Sequence, residues 1–396
     1  MTSLFLKTVN RNLIIPLLFS VLFSIISIGV FAQDSCHLRI SLLTASPGEE
    51  LYETFGHSAL RITDSVRNTD IVYNYGTFNF DEPNFYLKFI KGTLPFYLSD
   101  DNFDNFIAEY QQENRGISEQ VLHLTCFQKY KINALLNENM MGPNRTYQYK
   151  FTFDNCTTRL RDLIKNGTDS LVHFGKATDK KMTFRDLIYI YLNQNDQQWS
   201  KLGIDILLGS NMDAVATPYQ VMFLPDYLMY GLDSSTLNGQ PIISDKHQLY
   251  KTTHEFKTKD NLTHPLFLFI CLFVIIAFLS FSKNKAVQKI LSSFDGMLLF
   301  ITGLLGILVL IMWFGTDHFM CRDNFNLLWA WPINVVAAFY IHSRRNWAKK
   351  YYLVYGIFLL LVIIFWKTIP QHLNTALLPI LLILILRSFI YVFRKK

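Results

Sequence analysis

The 396-residue sequence contains no HExxH, no P-loop, no GxSxG elbow and no glycine-rich dinucleotide fingerprint. Zinc-peptidase, nucleotide-hydrolysing, α/β-hydrolase and nicotinamide chemistry therefore have no motif to rest on. Cysteine is scarce. The five residues form no CxxC pair and show no zinc spacing, and a metal site assembled from His57, His173 and Cys156 has no spacing to support it. No metal and no other cofactor is expected. A concentrated basic face is also missing. The formal charge is +6, but much of the Lys and Arg lies in short loops between apolar segments, where it acts as a topology signal. A nucleic-acid partner is not expected.

Hydrophobic residues make up 50% of the chain and mean hydropathy is positive. They are concentrated at the N-terminus and beyond His264, which divides the chain into a soluble part and a membrane part. Residues 1–12 carry Lys7 and Arg11 and no acid. The uncharged run Leu13–Ala32 comes next, ending in Val30-Phe31-Ala32. Residues 1–32 thus fit a secretory signal peptide and are long enough to remain as an N-terminal anchor; on both readings the segment after Ala32 is exported. Gln33–Cys36 is a poor lipobox.

Residues 33–263 read as an exported α+β domain. Strand-like runs are Leu38–Leu43, Ser58–Thr63, Ile71–Tyr75, Ser118–Leu124 and Tyr147–Phe153, with a weaker one at Leu94–Leu98 because of Pro95. Helical spacing marks Phe103–Gln112, Phe127–Met140, Thr157–Lys165 and Phe184–Asn193. Asp196–Tyr230 is interrupted by Pro218 and Pro225, and Leu232–Lys259 reads as a polar linker or a membrane-proximal extension.

Residues 264–396 read as an α-helical membrane domain of five spans: Pro265–Ser282, Met297–Gly315, Leu327–Ile341, Tyr351–Trp366 and Ala376–Phe393. The third contains Pro332, which neighbouring helices can accommodate. Lys283, Lys285 and Lys289 follow the first span, Arg344, Arg345, Lys349 and Lys350 the third, and Arg394, Lys395 and Lys396 the fifth. The alternate loops hold only Arg322 and Lys367 as Lys or Arg. By the positive-inside rule the basic loops are cytoplasmic, which puts residues 33–263 outside and agrees with the leader.

The stretch Tyr147–Asp162, YQYKFTFDNCTTRLRD, changes from a period of two to helical spacing at Asn155. Asp154 or Asn155 is a natural N-cap, so Cys156 falls in a first helical turn. There the positive end of the helix dipole favours a thiolate. Asn155 and Thr157 flank it at the helix start, whose backbone N–H groups can face a developing oxyanion. His57, between Gly56 and a strand, is the candidate base, and Asn74 on the next strand is the candidate for orienting the imidazole. Tyr73 and Tyr75 then point to the other face. Each of these residues also has a structural reading: Cys156 as a small core residue, His57 as a strand-end histidine bonded to a carbonyl. Cys36 and Cys126 can form an extracytoplasmic disulfide, which leaves Cys156 unpaired.

SLLTASPGEELYETFGHSALRI, then VYNYGTFNF, then YKFTFDNCTTRLRDLI, followed by membrane spans, resembles the Lnb-type family of Bacteroides-group envelope proteins. The resemblance implies lipoprotein N-acyltransferase activity at the bacterial inner membrane, in a multi-pass protein with residues 33–263 in the periplasm. The FGHSALR and DNCTTR blocks, His before Cys, are also similar to the permuted papain-like group that includes lecithin:retinol acyltransferase and the NlpC-type enzymes. That likeness implies a permuted papain-like fold, with Cys156 as nucleophile and His57 as base. GTDHFMCRDNFNLLWAWP is similar to the family too, and places Asp317, His318 and Asn324 in the first external loop as further contributors or simply as loop residues.

Together these features read as a thiol acyltransferase. A membrane phospholipid or a lipid-modified lipoprotein is the acyl donor, and a lipoprotein N-terminus is the acceptor. The alternatives are a papain-like cysteine peptidase or amidase acting on cell-wall peptides, and a non-catalytic envelope scaffold with Cys156 as a buried core thiol.

Overall fold

Alternation in the first strands builds a seven-stranded antiparallel sheet. The strands are β1 (Leu38–Ala45), β2 (His57–Asp64), β3 (Thr69–Thr77), β4 (Pro95–Asn102), β5 (Ile117–Leu122), β6 (Thr146–Gln148) and β10 (Ile243–Tyr250). Their order is β10-β5-β1-β2-β3-β4-β6. A second, three-stranded sheet joins β7 (Val172–His173), β8 (Thr236–Leu237) and β9 (Gln240–Pro241). The computed structural model describes residues 36–252, 261–341 and 345–393. The expected leader and the C-terminal Lys and Arg cluster lie outside the described residues.

The main sheet is covered on both faces, which is why β1, LRISLLTA, is buried at every position but Arg39 and not at alternate ones. On one face Ile40, Leu42, Leu60, Ile62 and Leu98 share a core with Ile132 and Leu136 of α3 (Cys126–Asn139) and Leu160 and Ile164 of α4 (Cys156–Gly167). Leu187 and Ile188 of α5 (Phe184–Gln194) and Leu228 and Leu232 of α7 (Pro225–Asp233) complete it. On the other face Leu43, Ala45, Ala59 and Val72 meet Phe106 and Tyr110 of α2 (Phe103–Gln112). Each fully buried aliphatic side chain contributes roughly 1.5–3 kcal/mol over leaving it in water.

Two sequence expectations change here. The run Tyr147–Phe153 is strand only over Thr146–Gln148. The Phe153 and Asp154 amides both donate to the Lys150 carbonyl, at 3.0 and 2.8 Å, and this local turn replaces the strand ladder. The stretch read as a linker from Leu232 instead supplies β10, which pairs with β5. Its polar residues, SDKHQ, are exposed. They are the side chains of a sheet edge kept soluble, and composition alone does not separate that from a linker.

The apolar part begins with α8 (Pro265–Ser280) and α9 (Lys285–Phe314), followed by the short α10 (Asn334–Phe339), α11 (Asn346–Ile364) and α12 (Leu377–Phe393). Among the described residues, α9 and α11 are long and apolar enough to cross a membrane; α8 and α12 are apolar but shorter. The expected third span, Leu327–Ile341, is not one helix. A 3-10 turn at Phe325–Leu328 and Pro332 precede α10, because proline offers no N–H to continue a helical ladder. Side chains satisfy the irregular backbone: the Tyr355 hydroxyl donates to the Trp329 carbonyl at 2.7 Å and the Tyr352 hydroxyl to the Ala337 carbonyl at 2.8 Å. The broken segment lies directly on α9, where a β-carbon on Gly303 or Gly306 would collide with backbone near Val335 and Ala330.

Two buried ionic clusters hold the architecture together. Within the helical part, Arg387 of α12 donates to both oxygens of Asp295 on α9, the shortest contact being 2.7 Å, and to the Ser280 hydroxyl of α8 at 3.0 Å. Between the two parts, Asp205 of α6 (Gln198–Leu207) accepts from Arg185 at 2.7 Å and from Asn374, in the loop before α12, at 2.8 Å. Around it, Asn324 donates to the carbonyls of Ile206 and Leu207, and Gln371 to that of Leu208. The loops at one end of the apolar helices are thereby fastened to the sheet-rich part.

Candidate active site

Cys156 opens α4, and its placement follows from the cap. The Asn155 side chain accepts from the Thr158 amide at 2.8 Å, and the Thr158 hydroxyl accepts from the Asn155 amide at 2.8 Å. This reciprocal box satisfies two donors that helix geometry leaves without an internal partner. The Asn155 amide nitrogen also donates to the carbonyls of Phe151 and Phe223, at 2.7 and 2.8 Å. Asn155 is therefore the N-cap, and its side chain is fully used in holding the helix start. Asn155→Ala is expected to destabilise the fold by about 2–4 kcal/mol, a lost cap plus two buried carbonyls without donors. Thermal unfolding of the purified protein measures this, and a loss below about 1 kcal/mol would contradict the assignment.

His57 is the first residue of β2. Gly56 before it has φ +76, and a β-carbon there would lie 2.6 Å from the Ala45 carbonyl oxygen, so only glycine makes this approach to the strand. The Nε2 of His57 lies 3.2 Å from Oδ1 of Asn74 on β3. Since Oδ1 can only accept, Nε2 carries the proton and Nδ1 is left for the thiol. The imidazole and the Cys156 thiol are close enough for each to shift the other's pKa. Tyr75, the next residue of β3, is buried in the core cluster that also contains Cys156. Cys156, His57 and Asn74 thus come together. Thr157 is fully buried, donates to the Ser58 hydroxyl at 3.2 Å and lies 3.7 Å from the Cys156 sulfur.

The electrostatics of the two groups are coupled. Burial pushes the Cys156 thiol up, but the charge and hydrogen bond of His57, the Ser58 amide and the Thr157 hydroxyl outweigh it and bring it down to about 7. Burial likewise lowers His57, while Cys156 and Asn74 raise it further, for a net upward shift. A thiol moved down beside an imidazole moved up is the electrostatic pattern that thiolate chemistry requires. The other cysteines differ. Cys36 and Cys126 are joined in a disulfide. Burial with no compensating partner pushes Cys321 up.

Three residues at the site carried no individual expectation from sequence. Gly76 of β3, at φ +93, turns a bare α-carbon toward Cys156; a β-carbon there would be 3.6 Å from that of Cys156 and 3.7 Å from the Tyr149 ring. Tyr147 presents a buried hydroxyl with no hydrogen-bond partner among the described residues. The Arg159 guanidinium covers its ring at 3.5 Å and is held by Asp154 at 2.6 Å. The available signal was the spacing of Tyr147 and Tyr149 at i and i+2, which puts two aromatic side chains on one face just before the cysteine.

Beyond Tyr149 lies a cavity of about 300 Å³ between the sheet-rich part and the loop after α9. Phe55, Phe151, Phe153, Met212, Met312 and Phe319 supply much of its apolar wall. Of the three loop residues singled out in the sequence, Asp317 and His318 line this cavity. The Asp317 amide donates to the Lys91 carbonyl at 2.9 Å and its carboxylate accepts from Gln148 at 2.9 Å; His318 Nε2 lies 3.1 Å from the Phe89 carbonyl. Asn324 is buried in the clamp on α6 and does not line the cavity. Among the described residues no group of His, Cys, Asp and Glu is placed to hold a metal ion.

The family model described as the Lnb N-terminal periplasmic domain matches residues 32–189, and that described as the Lnb transmembrane domain matches residues 257–396. Together they account for most of the chain. No curated protein and no solved structure matches it.

Proposed function

The chain belongs to the Lnb family and is a membrane protein with a periplasmic part; from this premise we propose that it is a lipoprotein-modifying thiol acyltransferase with Cys156 as nucleophile. The observation that carries the reading is the Cys156–His57–Asn74 arrangement, with the thiol lowered to about 7 and the Asn74 oxygen 3.2 Å from His57. A strand-borne histidine that precedes a helix-opening cysteine in sequence is the order of permuted papain-like enzymes. The apolar wall beside it favours a hydrocarbon-bearing substrate over a hydrophilic cell-wall peptide.

The reaction divides into two transfers. The Cys156 thiolate attacks the carbonyl carbon of a phospholipid ester, and a C–S bond forms. As the tetrahedral intermediate collapses, the ester C–O bond breaks and the leaving alcohol takes the proton held by His57. A neutral α-amine of a lipid-modified lipoprotein then attacks the thioester carbon. Its C–N bond forms, its proton passes to His57 and the C–S bond breaks to restore the thiolate. The net change converts an ester and an amine to an alcohol and an amide. Donors near the oxyanion are the first-turn amides of α4 and the Tyr147 hydroxyl. Asn74 acts through His57, fixing the tautomer that leaves Nδ1 to face sulfur. The site lies in the periplasm, on a multi-pass inner-membrane protein, where donor and acceptor are both lipid-anchored.

Intact-mass analysis of the full-length protein after incubation with phospholipid tests the first half. The expected result is one added acyl mass on Cys156, removed by neutral hydroxylamine. Absence of any adduct that maps to Cys156 would overturn the proposal.

A further inference from the structure

The short helix α1 (Phe85–Lys91) is apolar where it meets solvent: Tyr86 is 77% exposed, Phe89 55% and Leu87 52%, with Phe80 beside them at 69%. A soluble surface rarely concentrates such side chains in one element. Its position explains them. The Phe89 and Lys91 carbonyls bond His318 and Asp317, just past the end of α9 at Phe314. Since α9 is long and apolar enough to span a membrane, its end marks the bilayer surface, and α1 is fixed at that level. Aromatic residues with Lys88 and Lys91 beside them are the composition of an in-plane interfacial helix.

The 300 Å³ cavity lies behind this helix. Phe89 and Gly92 form part of its wall, Met312 of α9 another part, and Tyr149, packed beside the cysteine, a third. The cavity therefore runs from the membrane-surface helix to Tyr149; Cys156 does not line it, but both Cys156 and the Tyr149 ring lie against Gly76. From this continuity we propose that the cavity is a binding site for one acyl chain of the donor phospholipid, which leaves the outer leaflet past α1 and extends along Phe89, Phe319 and Met312, with its ester at Cys156. Burying the chain lowers its free energy relative to water by roughly 0.8 kcal/mol per methylene. It also places the ester carbonyl without immobilising the headgroup, for which the wall offers only Lys150, Asp317 and His318 as basic or acidic side chains. The assignment rests on Cys156 being the acyl acceptor, and its test does not require turnover.

Full-length Cys156→Ala protein in phosphatidylethanolamine–phosphatidylglycerol vesicles is photolysed with a phospholipid carrying a diazirine at the end of one acyl chain, and adducts are mapped. The expected adducts fall on the cavity wall, residues 149–153, 312 and 319–321. Met312→Trp, which fills the cavity, is expected to reduce them about tenfold. In the Cys156-containing background the same substitution should leave the alkylation rate of Cys156 within about twofold, which shows that the fold is intact. Adducts confined to outward-facing residues such as Phe278, Leu304 and Leu360 would overturn the proposal. Labelling of the wall by a diazirine-bearing diacylated lipopeptide but not by the phospholipid would overturn it too, since the chain would then belong to the acceptor. Wall labelling without any acyl adduct on wild-type Cys156 would leave the chain site standing and defeat the catalytic reading instead.

Discussion

Cys156→Ala is expected to reduce acyl transfer to a free α-amine to background, a fall of at least about 10³-fold, because no other group can form the covalent intermediate. Disulfide-bonded Cys36 and Cys126 are unavailable, Cys321 is buried and pushed up in pKa, and the remaining free cysteine, Cys271, lies within the apolar helix α8. The fold should survive. The side chain is 8% exposed and small, so its truncation costs about 1 kcal/mol or less. His57→Ala is expected to lower the rate by about 10²–10⁴-fold, the usual contribution of a positioned acid and base. Asn74→Ala should cost less, because it removes orientation and leaves the proton carrier in place. A lipopeptide with a free N-terminus, read by mass spectrometry, measures all three. Transfer by Cys156→Ala at more than a few per cent of wild type would contradict the assignment.

Arg387→Leu is expected to produce the largest loss of stability, about 3–5 kcal/mol, by leaving the Asp295 carboxylate buried among apolar helices without its cation. Asp295→Leu should do comparable harm from the other side. The double substitution Asp295→Leu, Arg387→Leu should recover most of the loss, because the desolvation penalty of both charges disappears together. Thermal unfolding of the three variants in one detergent decides the point. If the double variant is as unstable as the sum of the singles, the pair is not acting as a unit.

How far these features could be read from sequence depends on whether their cause is local. The start of α4 was legible because an N-cap and a change of period lie within a few residues of one another. So was the Asn74 side of β3, which follows from strand alternation alone. The truncated strand after Gln148 was not, because the turn on Lys150 competes with a ladder whose partner, β4, lies some fifty residues earlier in the chain. β10 was misread as linker for a related reason: an exposed edge strand and a polar connector have the same composition, and only pairing with β5 distinguishes them. Asn324 was singled out by the likeness of its loop to the Lnb family, and nothing in the composition of that loop says that its side chain is buried. The reason for its burial is the α6 carbonyls, which come from the other part of the chain. The break in Leu327–Ile341 was signalled by Pro332, but its replacement partners, Tyr352 and Tyr355, belong to a different helix.

The central claim is that Cys156 is a thiol activated by His57, and its alkylation rate as a function of pH tests this most directly. Mass-resolved iodoacetamide labelling of Cys156 in the folded, full-length protein should rise with pH through an inflection near 7. Below the inflection the thiol holds its proton and labelling slows. His57→Ala should shift the inflection upward to about 8.5 or above, because burial then acts on the thiol without the compensating imidazole. An unreactive Cys156 at neutral pH, or an inflection at the ordinary thiol value in both proteins, would contradict the account.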